Sequence, residues 1–413
     1  MVGCDAMKKL LWITLSYYFI QGIIHNLGHV VTPLYVETNE IPRYMFGFFF
    51  SAMSLGLVVG APIWGILGDM KKKRLFVVIG LLGYSVGQVL FVSTTNLVLM
   101  TLFRFLAGFS VSAAVTLLLS HVIALSPKLE RTKYLSMSAA LLALGTTFGY
   151  LIGGVLGDYM LVEVFYIQAL VNGLYALFVF VTMKEPIQRA ITQKGHFFAH
   201  VKEATKMDAS LLMFLLALTL ATMAATNLTR YVDAYITLDL GRSTSTLGVF
   251  VMATGLVGIA TNIIIVPLIA KLRKDLWFMK WIQLISAIIV FIVFRSQQVM
   301  LMLYTLYMGY IVLKSIFQPL EQNYISLNAR DEKYGSIMGV RQTFFSIGMV
   351  LGPLMAGFIY DYNPIRVFDV SALMFVLAFA LLILSQNALK KEHGKLEHLT
   401  PSRLEASEYK ASP

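Results

Sequence analysis

The chain is short of charge: 13% of its 413 residues are Asp, Glu, Lys or Arg, against ~25% in soluble domains. Cysteine is scarcer still, with Cys4 alone, which excludes a disulfide framework within the chain. No G-x-x-x-x-G-K-[ST] loop is present, and no polar segment is long enough to hold an ATPase domain. CxxC, HExxH and EF-hand patterns are missing as well. His25 and His29 lie four apart, which is metal-ligand spacing, but no third ligand is near in sequence, so a hydrogen-bonding or pore-lining role is expected. These absences exclude visible enzymatic apparatus and predict no cofactor and no metal. The N-terminus has no small-residue cleavage site after a short apolar core, so the first apolar segment is expected to remain as a helix.

Hydrophobic residues make up 58% of the chain, with 28 Phe, 20 Tyr and 21 Met. Apolar windows recur from Leu10 to Leu389, at the ~20-residue length that carries a helix across a ~30 Å hydrocarbon core. Twelve spans are predicted, at about 10–34, 46–68, 75–93, 97–125, 134–156, 162–183, 209–236, 246–270, 277–294, 299–327, 335–360 and 365–388. The expected fold is therefore an all-α membrane protein.

A formal charge of +11 could suggest nucleic acid, but the cations are placed by topology. Of the 33 Lys and Arg, 25 fall before the first span, in the connections after even-numbered spans, or in the tail, including Lys71, Lys72, Lys73 and Arg74. The other side has Arg43, Arg242, Arg295 and Arg366, with Arg230 near it. The positive-inside rule then places both termini in the cytoplasm and no nucleic-acid partner is expected.

The polar stretch from Lys184 to Asp208 divides the spans into two sets of six. "KYLSMSAA" (133–140) lines up with "KYGSIMGV" (333–340) at an offset of 200, and "GTTFGYLIGGVLGDY" (145–159) with "GMVLGPLMAGFIYDY" (348–362) at 203. "GLVV" (56–59) matches "GLVG" (255–258) at 199. This reads as duplication: bundles at 1–183 and 209–388, a cytoplasmic linker at 184–208, and a charged, mobile tail at 389–413. Parallel six-helix repeats are a known transporter plan.

Glycine spacing is pronounced on the fifth span, where Gly145, Gly149 and Gly153 fall four apart beside Gly154 and Gly157. Gly348, Gly352, Pro353 and Gly357 repeat it on the eleventh. Small residues at this spacing let helix backbones approach closely in lipid. Two readings stay open: static tight packing, or a smooth face across which two bundles rock.

"GILGDMKKKRL" (65–75) resembles the loop 2–3 signature of the major facilitator superfamily, through Gly65, Leu67, Asp69, Lys73 and Arg74; Met70 and Lys72 depart from it. "RFLAGFS" (104–110) resembles the fourth-span signature. "GTTFGYLIGG" resembles the fifth-span signature of the drug:proton antiporter branch, with Tyr150 in place of proline. The resemblance covers the whole chain and implies the major facilitator fold: twelve helices in two pseudo-symmetric six-helix bundles that alternate access to a midplane cavity formed by spans 1, 4, 7 and 10. It also implies that Asp69 latches onto the partly positive N-terminus of span eleven when the cytoplasmic side closes.

Ionisable groups within spans are expensive and point to function. Arg104 is implicated in proton coupling or in holding its bundle. On the tenth span Lys314, Gln318 and Glu321 share one helical face, expected to line the cavity, and Pro319 should kink the helix. Glu321 is the foremost candidate proton carrier, or else it sits at the cytoplasmic interface. Arg341 is expected to snorkel or to form a gate pair. Arg230 and Asp233 could pair near the outer surface. On the first span Tyr18, Gln21 and His25 give a polar face; the antiporter branch often carries an acid there, and His25 could substitute for it. The expected activity is proton-coupled efflux of amphipathic small molecules by a monomer in the cell membrane, driven by the proton gradient and in contact with lipid. The alternatives are a symporter or facilitator for a polar solute such as a sugar, and a receptor that does not transport.

Overall fold

The computed structural model describes the backbone of residues 4–70, 72–185, 208–272, 274–328 and 334–399. Most of the linker segment (186–207) and residues 400–413 lie outside the described residues. The first half contains α1 (Cys4–Asn26), α2 (Thr32–Thr38), α3 (Met45–Met70), α4 (Lys73–Val92), α5 (Leu97–Leu125), α6 (Arg131–Gly157) and α7 (Glu163–Thr182). The second contains α8 (Ala209–Ala234), α9 (Thr244–Ala260), α10 (Val266–Ala270), α11 (Asp275–Val293), α12 (Val299–Tyr304), α13 (Leu306–Asn328), α14 (Tyr334–Tyr362) and α15 (Pro364–Leu399). Among the described residues, 11 helical stretches are long and apolar enough to cross a membrane. α1 falls short by composition, because it carries Tyr17, Tyr18, Gln21, His25 and Asn26.

Helix starts follow local chemistry. Asn96 accepts from the backbone N–H groups of Val98 and Leu99 at 3.0 and 3.1 Å, and so caps α5. Ser243 accepts from Thr246 N–H at 3.2 Å and caps α9. Each satisfies donors that a helix N-terminus leaves unpaired. π-helical turns at Tyr235–Asp239 and Thr261–Ile265 prolong α8 and join α9 to α10. Pro319 lies inside helix α13, and span ten is interrupted at Thr305, between α12 and α13. One expectation changes. The tail is not separate from the last span at its start, since α15 runs on to Leu399.

Within the first half α3 and α4 pack on α5, α1 packs on α6, and α4 on α7. The second half repeats the plan, with α8 against α14 and α15, and α11 against α13 and α15. The halves meet along two seams, α6 with α9 and α3 with α14.

The hydrophobic clusters show which end is shut. Define the basic face as the end bearing the α3–α4 connection with Lys72, Lys73 and Arg74. Near that face each half has its own apolar cluster: one built on Tyr17, Leu81, Leu118 and Val179, the other on Phe214, Met279, Leu320 and Leu382. Toward the opposite face one cluster joins both halves, with Tyr35, Phe46 and Phe49 alongside Tyr231, Phe294 and Tyr360. Ring contacts cross the seam there, Phe46 with Tyr231 at 5.5 Å and Tyr44 stacked on Phe358 at 5.6 Å. The bundles are joined at the opposite face and parted toward the basic face.

Candidate functional site

A cavity of about 530 Å³ occupies the parted region, between α6 of the first half and α8, α9 and α13 of the second. Its apolar wall includes Leu142, Val251, Phe250, Tyr307 and Ile311, and its polar wall includes Asn26, Thr146, Tyr150, Arg230, Asp233 and Lys314. A smaller cavity of about 250 Å³ adjoins it, sharing Thr229, Arg230 and Lys314 and adding Phe317, Gln318 and Glu321. This is the size and mixed character of a small-molecule pocket.

Lys314, Gln318 and Glu321 line the smaller cavity together, within the second half, and of the three Lys314 also lines the main cavity between the halves. Glu321 is fully buried and is held by Arg341, whose Nε donates to Oε2 at 3.3 Å and whose Nη2 donates to Oε1. Arg341 is buried with it and does not snorkel. Arg230 and Asp233 are not at the outer surface. Both line the main cavity, because that cavity reaches up to the closed end. They form no direct ion pair; the Tyr150 hydroxyl lies between them, accepting from Arg230 Nη1 at 3.3 Å and facing Asp233. Lys314 Nζ donates to Thr229 Oγ1 at 2.7 Å. Arg230 also stands over the Phe50 ring at 4.2 Å, across the seam.

Other expected site residues lie elsewhere. His25 Nε2 donates to Asn172 Oδ1 at 3.2 Å and packs on Tyr84, inside the first bundle and off both cavities. Gln21 and Tyr18 are also buried in that bundle. None of these three lines either cavity. Arg104 is 3% exposed; it donates to Gln88 Oε1 and Thr32 Oγ1, each at 3.2 Å, and lies over Phe91 at 3.7 Å. That environment holds α5 against α2 and α4 and is distinct from the cavities.

The glycines divide between the two open readings. A Cβ on Gly145 would approach Gly22 Cα at 3.0 Å, and one on Gly149 would meet Gly22 O and Ile23 Cα at 3.0 Å. Gly153 likewise faces Leu27, so these three serve close packing of α6 on α1 within one half and are not the sliding face. Gly154 belongs to the seam, with a Cβ 3.1 Å from Gly248 Cα of α9. The second half repeats the first: a Cβ on Gly352 would approach Met223 Cα of α8 at 3.1 Å, while Gly357 faces Tyr44 of the first half. The Pro353 carbonyl accepts from the Tyr231 hydroxyl at 2.9 Å. Gly65 has room, with Thr116 Cγ2 3.8 Å from a Cβ.

At the basic face Asp69 is 59% exposed in its side chain and pairs with Lys73 at 3.8 Å. Lys73 also donates to Ser120 at 2.6 Å, and the Arg74 N–H is capped by Glu185 at 2.8 Å. No hydrogen bond or ion pair of Asp69 with span eleven is formed among the described residues, as expected of a face that stands open.

A latch of the kind expected at Asp69 is present at the opposite face. Asp158 Oδ1 accepts from Thr244 Oγ1 at 2.7 Å and from Ser245 N–H at 3.1 Å, at the N-terminus of α9 in the other half. Burial pushes this carboxyl up, but the bonds from Ser245 and Thr244 outweigh it and hold it below its ordinary value. The signal was in the sequence, since G-x-L-G-D occurs at 65–69 and again at 154–158. Arg43 adds a second tie, reaching Glu37 at 2.7 Å in its own half and Asp239 of the other half at 3.6 Å.

Two helical bundles around a polar-apolar cavity open at one end define a membrane transporter rather than an enzyme. The chain belongs to the Major Facilitator Superfamily, whose model matches residues 8–307 and 214–412. It is 24% identical over 353 residues to the Quinolone resistance protein NorA of Staphylococcus aureus (strain COL), covering 84% of this chain and 89% of that one. It is 23% identical over 380 residues to Multidrug resistance protein 1 of Bacillus subtilis (strain 168), covering 90% and 95%. It thus resembles the drug:proton antiporter branch. The fold matches a solved bacterial homolog of the human lysosomal transporter Spinster, inward-facing and unoccupied, with TM-score 0.78, 13% identity, and 94% and 98% of the two chains covered.

Proposed function

We propose that the protein exports amphipathic small molecules from the cytoplasm in exchange for protons. The observation that carries this is the main cavity, where an aromatic and aliphatic wall faces Asp233, a buried carboxylate with no direct ion pair among the described residues. Such a group can take and release a proton as access alternates. Glu321 is the second candidate, but its pairing with Arg341 ties its charge to the integrity of the second bundle. The names of the relatives, quinolone and multidrug resistance, support export of drug-like molecules. The basic face is then cytoplasmic, with both termini on that side of the cell membrane, and one chain holds a complete cavity.

Purified protein in liposomes, with the proton gradient imposed in either direction, tests this. Gradient-driven movement of a fluorescent amphipath opposite to the protons, lost in Asp233→Asn, is expected. Accumulation of a sugar in the direction of the protons, with no movement of amphipaths, would overturn it.

A further inference from the structure

The two adjoining cavities share their cations. Arg230 and Lys314 line both, and neither forms an ion pair with a carboxylate among the described residues. Of the carboxylates on these walls, Glu321 is neutralised by Arg341. Asp233 is therefore left facing two cations, and it meets Arg230 through Tyr150. The residual sign of the pocket is positive. Lys314 has Thr229 as its hydrogen-bond acceptor, a neutral hydroxyl, which leaves two of the three ammonium donors for other partners. Cations within a membrane pair with one another's opposites or face a water-filled cavity; these face a cavity sized for a ligand.

From this arrangement we infer that the cargo carries an anionic group, a carboxylate or sulfonate on an aromatic body, bound between Lys314 and Arg230. This rests on the transport reading and narrows it. The planar guanidinium of Arg230 is held over Phe50, so its donors are oriented before the ligand arrives. Lys314 supplies a point charge from the facing helix. Phe250, Tyr307 and Ile311 offer the apolar surface for the ring system. An outgoing anion and an incoming proton move charge in the same sense, so an inside-negative potential drives both halves of the exchange.

Three probes of one shape separate charge from fit: 2-naphthoate, 2-naphthamide and 2-naphthamidine, which carry negative, no and positive charge. Binding is measured by calorimetry on the full chain in nanodiscs, with empty nanodiscs subtracted. Naphthoate is expected to bind about tenfold or more tighter than naphthamide, one charge-assisted contact's worth, with naphthamidine weakest. Lys314→Gln should weaken naphthoate more than naphthamide and so narrow the gap between them, and Lys314→Arg should retain the preference. An unchanged melting temperature in nanodiscs shows that Lys314→Gln is folded. Naphthoate binding no tighter than naphthamide, including no binding of either, overturns the inference, as does equal loss of both in Lys314→Gln. Flux of naphthoate from loaded proteoliposomes under an imposed potential is read separately. Selective binding without flux would sink the transport reading and leave the anion site standing; flux without selectivity would do the reverse.

Discussion

Removing the Asp158 latch should open the face opposite the basic loops. Asp158→Ala deletes the hydrogen bonds that this carboxylate accepts at the N-terminus of α9, among them those from Thr244 Oγ1 at 2.7 Å and Ser245 N–H at 3.1 Å. Loss of a capping carboxylate costs ~1 kcal/mol, within a range of 0.5–2. The lower part of that range applies because the site is exposed to solvent. A change of ~1 kcal/mol multiplies the open population about fivefold. Val31 is fully buried beneath this seam, against Gly157. In a Cys4→Ser background, a cysteine at Val31 reacts with an impermeant maleimide at a rate proportional to the open population. The expected result is a roughly fivefold faster reaction in Asp158→Ala at unchanged melting temperature. An unchanged rate would refute the latch. The pH dependence has a defined sign. The folded carboxyl is held below its ordinary value of 3.8, so the latch is intact above that value and is lost as pH falls through the lowered one. Labelling of Val31→Cys with Asp158 intact, divided at each pH by the rate in the unfolded chain to remove the thiol's own titration, should therefore be flat between pH 7 and pH 5.

Gly145→Val should lower the melting temperature by overpacking α6 on α1, at about 1–3 kcal/mol, whereas Gly154→Val should part the seam and raise Val31→Cys labelling. Glu321→Ala is expected to destabilise by about 3–5 kcal/mol by leaving Arg341 buried and unpaired; the double change Glu321→Gln with Arg341→Met should recover part of that in thermal unfolding. Asp69→Asn should leave the melting temperature unchanged, since an exposed pair is worth about 0–1 kcal/mol, while slowing transport; unaltered flux would remove any gating role for Asp69.

The span boundaries were legible because hydrophobic length and local caps set them: Asn96 and Leu125 bracket α5 where the apolar window does. Glycine periodicity was legible too, but the partner of each glycine was not. Gly153 and Gly154 are adjacent in sequence and face different helices in different halves, which depends on how six helices pack. Arg230 and Asp233 were placed by distance along their helix, which is correct, but the depth of the cavity is set by where the bundles part. Tyr150 stood out as a missing proline; its hydroxyl turns out to bridge the halves at Arg230. The polar face of α1 pointed to a cavity, but the partner of His25 is Asn172 of α7, within the same bundle, and no pattern in α1 itself announces that partner.

Alternation between the two faces is the central claim, and one cross-linking measurement tests it. Arg43 and Asp239 pair across the halves at 3.6 Å on the closed face. In a Cys4→Ser background, Arg43→Cys with Asp239→Cys should transport until a short bis-maleimide joins the two sites, and then stop. Each single-cysteine variant should keep transporting under the same reagent. Undiminished flux in fully cross-linked protein would show that the closed face never needs to open, and would contradict alternating access.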